Sequence, residues 1–111
     1  MAEPRLKTEI WVHAMLRLAD AAGQPGVVLR RGDRDSGSVL VVLRGVVGCC
    51  VLSRIRVAEG EPAWLRATGA EPVDQASVDA YLTRQTRMDP DLWVIELPSP
   101  DLSTPAAAAI V

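Results

Sequence analysis

Two strand-length segments of this chain contain no polar side chain, and they restrict its fold more than any other feature. VLVVL occupies positions 39–43, and LWVI occupies positions 92–95. A strand with one solvated face alternates between apolar and polar residues, whereas a strand covered on both faces is apolar throughout. The sequence therefore predicts that strand 38–44 is covered on both faces or central in its sheet. Strand 92–97, apolar except for Glu96, is expected to pair beside it.

Three further segments have the length and composition of strands, at residues 27–31, 49–57 and 63–68. Short loops separate consecutive strands between residues 27 and 68. Loops this short join antiparallel neighbours, because a parallel connection needs a crossover of a dozen or more residues. The strands from 27 to 68 are therefore predicted to form an antiparallel meander.

Apolar residues at helical spacing predict two helices, at residues 6–22 and 74–88. Gly23 lies where a C-cap glycine would end the first helix, and Asp74 is a suitable N-cap for the second. The apolar arc of the first helix spans roughly 240°, although a helix on one sheet face requires only about 100° or somewhat more. We therefore expect this helix to contact its own sheet and also either the second helix or another subunit. The candidate interface consists of Val12, Leu16 and Ala19.

The predicted elements follow the order α-β-β-β-β-α-β, which indicates a single α+β domain. We predict an antiparallel sheet of four to five strands, arranged as a meander, with two helices packed on one face. A chain of 111 residues that is 49% hydrophobic can bury a substantial core, and the predicted domain covers residues 1–97. Residues 98–111 contain three prolines and a run of alanines, so we expect a flexible C-terminal tail.

Charge and cysteine content bear on the compartment and the partners of the protein. The net charge is −2 at pH 7, whereas duplex-binding domains are usually basic, so no nucleic-acid partner is expected. Charged residues interrupt every long apolar run, so neither a membrane helix nor a signal peptide is predicted. Cys49 and Cys50 are adjacent, which prevents an ordinary disulfide. Reduced thiols indicate a cytoplasmic protein.

The sequence contains no motif of a cofactor or of a catalytic metal. It has neither a phosphate loop nor the glycine pattern of a dinucleotide site, so no cofactor is expected. His13 is the only histidine, and no second histidine can complete a zinc site. The loop GDRDSG, at residues 32–37, has aspartates like those of a calcium loop but lacks the downstream glutamate. No metal site is therefore predicted.

The stretch RQTRMDPDLWVIE, residues 84–96, is the part of the chain that looks most like the signature of an active site. A structural interpretation is that the arginines suit the end of a helix dipole and the proline stops the helix before a buried strand. A functional interpretation is a small enzyme or anion-binding domain with the tryptophan as a pocket wall, which requires these side chains to converge on a cleft. The candidate ligand or interaction residues are Arg84, Arg87, Asp89, Asp91 and Trp93.

Four blocks of the sequence resemble a known bacterial family. They are RLKTEIWVHAMLR (5–17), RRGDRDSGSVLV (30–41), WLRATG (64–69) and DAYLTRQTRMDPDLWVIE (79–96). Together they are similar to an alphaproteobacterial family of domains of unknown function, number fourteen ninety-one. The resemblance implies a bacterial cytoplasmic protein, and it transfers no catalytic or binding residue because the family has no assigned activity. The C-terminal residues and the strand pair with the two cysteines depart from it.

These features predict a small cytoplasmic, non-catalytic interaction or regulatory module. Its basis is the wide apolar arc of the first helix, which can supply the interface of a homodimer or contact an unknown protein partner. The alternative is the small enzyme or anion-binding domain built on the turn at residues 84–91. Convergence of the charged side chains on a cleft would favour the enzyme, whereas arginines and aspartates that bind each other or the backbone at the surface would indicate a structural turn.

Overall fold

A five-stranded mixed sheet lies between two helices in the computed structural model of the chain, which describes residues 7–56 and 62–104. The predicted α+β class and element order are confirmed. Leu6 and Val57, at the outer ends of two predicted elements, lie outside the described residues. The elements are α1 (Thr8–Ala21), β1 (Val27–Arg30), β2 (Val39–Arg44), β3 (Cys49–Arg56), β4 (Pro62–Arg66), α2 (Gln75–Met88) and β5 (Trp93–Pro98).

The strands are arranged in the order β1-β5-β2-β3-β4, so β5 lies beside β2 as its apolar sequence predicts. The prediction of a purely antiparallel meander is wrong, because β5 runs parallel to β2 and antiparallel to β1. Only β2, β3 and β4 form a meander. β2 is buried at every position from 39 to 43 and therefore needs an apolar neighbour on each side. β5 is that neighbour on the side away from β3, after α2 has carried the chain back across the sheet.

The two helices cover opposite faces of the sheet, which corrects the prediction that both pack on one face. Alternate residues of a strand point to opposite faces. In β2, the side chains at positions 39, 41 and 43 belong to the core beneath α1. The side chains at positions 40 and 42 belong to the core beneath α2. Two helices on one side would leave the other apolar face of β2 and β5 in water, so the composition of these strands requires cover on both faces.

α1 ends in a glycine cap, as the sequence predicts. Gly23 has a φ of 78°, a left-handed conformation that glycine adopts without steric cost. Its N–H donates to the carbonyl of Asp20 at 3.0 Å, and the N–H of Gln24 donates to the carbonyl of Ala19 at 2.8 Å. These two bonds satisfy carbonyls that the end of a helix otherwise leaves unpaired.

Asp74 and Asp101 stabilise local turns through their carboxylates. Asp74 caps α2, as predicted, and accepts a hydrogen bond from the N–H of Ser77 at 2.8 Å. Asp101 accepts one from the N–H of Ser103 at 3.0 Å. The side chain and backbone of Ser77 lower the pKa of Asp74, and those of Ser103 lower the pKa of Asp101, because hydrogen bonds to a carboxylate favour its charged form.

Acid is therefore expected to destabilise the fold partly through these two groups. A folded-state pKa below the ordinary value of 3.8 adds stability that is complete well above that pH and is lost as the pH falls through the lowered pKa. Replacing both Asp74 and Asp101 with serine keeps a hydroxyl acceptor at each position but removes the titrating group. Urea unfolding between pH 2 and pH 6 should show a shallower acid decline in the double variant. Equal declines in the two proteins would contradict this assignment.

Residues 98–104 are part of the folded domain, which corrects the predicted start of the tail after residue 97. Pro98 is the last residue of β5, and Leu102 lies in the core beneath α1 with 6% of its surface exposed. The carbonyl of Leu102 accepts a hydrogen bond from the guanidinium of Arg66 at 2.8 Å. The proline-rich composition predicted flexibility. Composition does not show that one leucine of this segment enters the core. The rest of the predicted tail, residues 105–111, lies outside the described residues.

Candidate functional site

The candidate ligand residues of the 84–96 stretch do not converge on a cleft. Arg84 lies beside the ring of Tyr81, with its guanidinium carbon 6.0 Å from the ring centroid. Arg87 is exposed in the last turn of α2. Within the described ranges, neither arginine forms an ion pair with an aspartate. Trp93 is fully buried beneath α1, on the face of the sheet opposite α2, so it forms no pocket wall beside these arginines.

The aspartates of this stretch organise a turn. The carboxylate of Asp89 accepts a hydrogen bond from the N–H of Asp91 at 3.1 Å, an arrangement typical of aspartate in turns. The carbonyl of Pro90, between them, accepts a hydrogen bond from the guanidinium of Arg30 at 2.7 Å. Asp89 itself has an extended backbone and ends α2, because the proline that follows disfavours the helical conformation. This geometry favours the structural interpretation of the turn.

Asp91 and Trp93 hold the loop at residues 31–38 against the start of β5. The indole N–H of Trp93 donates to the carbonyl of Asp33 at 2.7 Å. The N–H of Asp33 donates to the carbonyl of Asp91 at 2.9 Å. The guanidinium carbon of Arg31 lies 5.4 Å from the centroid of the Trp93 ring, within the range of a cation–π interaction. Two of the sequence blocks that carry the family resemblance therefore meet at this contact.

Gly32 and Gly37 allow this close approach of the loop to the turn. A Cβ atom at either position would overlap the carbonyl oxygen of Asp91 and crowd the ring of Trp93. The contact is therefore one of backbone against backbone, which a residue with a side chain would prevent. Nothing in a single sequence identifies the surface that these two glycines approach.

The same loop satisfies the first N–H groups of α1. The N–H of Thr8 donates to the carbonyl of Asp35 at 3.2 Å, and the N–H of Glu9 donates to the carbonyl of Arg34 at 2.9 Å. The carboxylate of Glu9 also pairs with Arg31 at 2.7 Å and with Arg34 at 3.4 Å. Helix N-termini leave such N–H groups unpaired unless a neighbour accepts them, so the loop fixes where α1 begins.

An open pocket of about 500 Å³ adjoins this end of α1. Ile10 is the aliphatic residue of its wall. The N–H groups of Ser36 and Asp35 bind the carboxylate of Asp33 and keep the pKa of Asp33 below its ordinary value. Among the described residues, the carboxylate of Asp35 pairs only with Lys7, across 3.7 Å between two largely exposed side chains, so it is the more available acceptor. The wall consists of Lys7, Glu9, Ile10, Asp33, Arg34 and Asp35.

Over the described ranges the chain has no cluster of three metal-ligating side chains and no helix long and apolar enough to cross a membrane. Cys49 and Cys50 are buried free thiols that belong to the cores on opposite faces of the sheet. The sulfur of Cys49 lies 3.9 Å from the guanidinium of Arg44, and the sulfur of Cys50 lies 3.5 Å from that of Arg66. Because neighbouring side chains of a strand point to opposite faces of the sheet, the two sulfurs lie apart.

The candidate interface residues of α1 lie mostly inside the domain. Val12 and Ala19 are fully buried, and Leu16 is partly buried beside the same core. A Cβ atom at Gly26 would press on the side chains of Leu16 and Leu97, which shows how closely this side of α1 approaches the sheet. This margin of the apolar arc is therefore covered within one chain.

The apolar surface that α1 exposes is the other margin of the arc. Ile10 has 51% of its surface exposed and Leu18 has 37%, with Ala14 midway between them. We call these three residues the outward stripe. Both margins of the arc contain aliphatic side chains, so the sequence shows that the arc is too wide for one sheet. It does not show which margin the strands cover.

Solved structures of similar sequence share this fold. A crystal structure of a DUF1491 family protein from Caulobacter crescentus CB15 has a TM-score of 0.75 and 34% identity, and covers 86% of this chain and 89% of that chain. An NMR structure of a DUF1491 family protein from the same organism has a TM-score of 0.74 and 33% identity, with coverages of 89% and 90%. The solution structure of protein Atu0922 from A. tumefaciens has a TM-score of 0.76 and 25% identity, with coverages of 97% and 96%.

The sequence profile of one family also matches this chain. Its description is "Protein of unknown function (DUF1491)", and the match spans residues 6–107. No curated protein matches the chain. The resemblance predicted from the four sequence blocks is confirmed, and the relatives carry no named function. The chain therefore belongs to the DUF1491 family.

Proposed function

We propose that this protein is a small cytoplasmic bacterial module, without catalytic activity, that associates with a second copy of itself through the outward stripe of α1. The observation that carries the proposal is the exposure of two large aliphatic side chains, Ile10 and Leu18, on a helix whose other large apolar side chains are buried or half-buried. Exposed aliphatic side chains aligned on one rigid helix form a surface that a partner can cover.

The non-catalytic part of the proposal is supported by the contacts of the charged side chains. Around the 89–91 turn, the carboxylate of Asp89 and the guanidinium of Arg30 bind backbone atoms, and the guanidinium of Arg84 lies beside an aromatic ring. Glu9, the most enclosed acid beside the loop, is shared between two arginines and accepts no other side-chain hydrogen bond in the described ranges. An active site instead holds its reactive groups around a space that substrate can enter. The cytoplasmic part is supported by the two free thiols, because oxidising compartments favour disulfides.

Light scattering across a hundredfold concentration range tests self-association. We expect the wild-type mass to rise from 11.9 kDa towards twice that value as the concentration increases. Leu18→Glu should remain monomeric, because a carboxylate in the centre of an apolar contact loses its hydration without gaining a partner. The matched control is Met88→Glu, at a residue 78% exposed on the helix that covers the opposite face. It should associate like the wild type.

Two results would refute the proposal. One is a wild-type protein that stays monomeric at millimolar concentration. The other is equal loss of association in the Leu18 and Met88 variants, which would indicate a response to added charge rather than to the outward stripe. Circular dichroism of each variant verifies that the fold is retained.

A further inference from the structure

We propose that the second copy packs antiparallel to the first about a two-fold axis at Ala14, with Leu18 of each copy beside Ile10 of the other and Arg17 of each copy paired with Asp35 of the other. The inference rests on the proposed function, and it names the geometry and the charged contact of the same surface. Its three supports are the spacing of the outward stripe, the position of the pocket and the distribution of charge around both.

The spacing of the outward stripe is self-complementary. Ile10 precedes Ala14 by four residues and Leu18 follows it by four. In an antiparallel pair with its axis at Ala14, a residue before the axis faces the residue equally far behind it on the other helix. Leu18 of each copy therefore lies against Ile10 of the other, and the two small Ala14 side chains meet in the middle. Close approach of the helices at the alanines lets the larger side chains on either side come into contact.

The pocket lies where the side chain of Leu18 from the second copy would arrive. Ile10 belongs both to the wall of the pocket and to the outward stripe, so the pocket opens beside the N-terminal end of the stripe. The volume of about 500 Å³ leaves room for an aliphatic side chain next to Ile10. The N-terminal end of one stripe therefore has a recess for the C-terminal end of the other.

Charge favours the antiparallel arrangement over the parallel one. Arg17 adjoins Leu18, is exposed, and forms no ion pair with any residue in the described ranges. In an antiparallel pair it faces the position of Trp11 on the other copy. That position is three residues, or about 4.5 Å along the axis, from Thr8, whose N–H binds the carbonyl of Asp35. The long side chain of arginine can extend along the axis towards this residue, whereas a parallel pair would set Arg17 against Arg17.

The size of the contact predicts a weak dimer. α1 has 14 residues and is therefore about 21 Å long. A contact between two helices of this length, with one recess at each end, is smaller than the roughly 800 Å² per partner of a standard interface. We therefore expect an equilibrium between monomer and dimer that responds to dilution. The paired charges should contribute measurably to the stability of this dimer.

Charge reversal tests the pairing of Arg17 with Asp35. Dissociation constants are measured by sedimentation equilibrium for the wild type, Arg17→Asp, Asp35→Arg and the double variant. Each single reversal places two like-charged pairs in the dimer and should weaken association about tenfold or more. The double variant restores opposite charges and should return to within about threefold of the wild type. Arg87→Asp, a reversal at an exposed arginine of α2, is the control for net charge and should leave association unchanged.

The outcomes separate this inference from the function on which it rests. If the wild type forms a dimer that Leu18→Glu abolishes but the double reversal does not recover, the antiparallel pairing is wrong and the outward stripe remains the interface. If the wild type never associates, both proposals fail. Asp35→Asn, which keeps the size of the side chain, provides a second reading should Asp35→Arg unfold. It should weaken the dimer and reduce its sensitivity to salt, and an unchanged salt dependence would overturn the pairing.

Discussion

Replacing Trp93 with alanine is expected to lower the free energy of unfolding by about 3–5 kcal/mol, which would leave a domain of this size marginally stable. Trp93 is fully buried in the core beneath α1. Its truncation removes the largest fully buried side chain among the described residues and leaves a cavity between α1 and the centre of the sheet. It also leaves the carbonyl of Asp33 without its hydrogen-bond donor, the indole N–H, which lies 2.7 Å away in the wild type. The loop that fixes the start of α1 therefore loses its anchor together with the core.

Trp93→Phe separates the packing term from the hydrogen bond. Phenylalanine keeps most of the ring but has no donor for Asp33, so we expect a smaller cost of about 1–3 kcal/mol. Arg31→Ala removes the contact with the ring face and one ion pair with Glu9, both near the surface, and should cost less than about 1 kcal/mol. Urea unfolding followed by far-ultraviolet circular dichroism measures all three. A Trp93→Ala variant within 1 kcal/mol of the wild type would show that this core relaxes around the loss and that the anchor is unimportant.

The local features of the fold were predictable because they depend on a few neighbouring residues. A glycine that follows an apolar arc caps the first helix, and an aspartate that precedes an apolar arc caps the second, both where expected. Each of these residues acts on backbone groups within four residues. The apolar runs at 39–43 and 92–95 also predicted adjacent strands correctly, because a strand covered on both faces finds cover most readily beside another of the same kind.

The global features were not predictable from the same patterns. Whether β5 runs parallel or antiparallel to β2 depends on the path of α2 across the sheet, which no short segment encodes. The placement of the helices on opposite faces follows from the double-sided apolar character of β2, although that character alone does not say which element covers which face. Composition likewise hid the role of the C-terminal residues, where a single leucine matters more than three prolines.

The candidate site shows a further limit of side-chain patterns. The stretch at 84–96 attracts attention through its charges, yet the contacts that matter there use the backbone groups of Asp33, Pro90 and Asp91. Every residue has a backbone carbonyl and every residue except proline has a backbone N–H, so the partners of these groups cannot be read from residue type. The outward stripe has the opposite problem. Its residues are ordinary aliphatics, and only the packing of α1 distinguishes the exposed margin from the buried one.

Leu102 connects the C-terminal residues to the core, and it does so in an unfavourable backbone conformation. Its φ is 59°, in the left-handed region that costs a non-glycine residue roughly 1–2 kcal/mol. The segment around it maintains this conformation. The N–H of Ser99 donates to the carbonyl of Arg44 at 2.9 Å, and the hydroxyl of Ser99 donates to the carbonyl of Ser103 at 2.8 Å. Burial of the leucine side chain must therefore outweigh the strain of the backbone.

Leu102→Ala is accordingly expected to lower the free energy of unfolding by about 2–4 kcal/mol. Thr104→Ala, at an exposed position two residues later, should change it by less than about 0.5 kcal/mol. Leu102→Gly removes the same contacts but also relieves the left-handed strain, so it should be no less stable than Leu102→Ala, although glycine normally costs about 1 kcal/mol more than alanine. Urea unfolding of the three variants at pH 7 distinguishes the terms. If Leu102→Ala matches the wild type, the original prediction of a tail beginning at residue 98 is correct, and the segment contributes nothing to the fold. If Leu102→Ala is destabilised but Leu102→Gly is weaker still, the side chain stabilises the core as argued and the backbone at this position carries no strain.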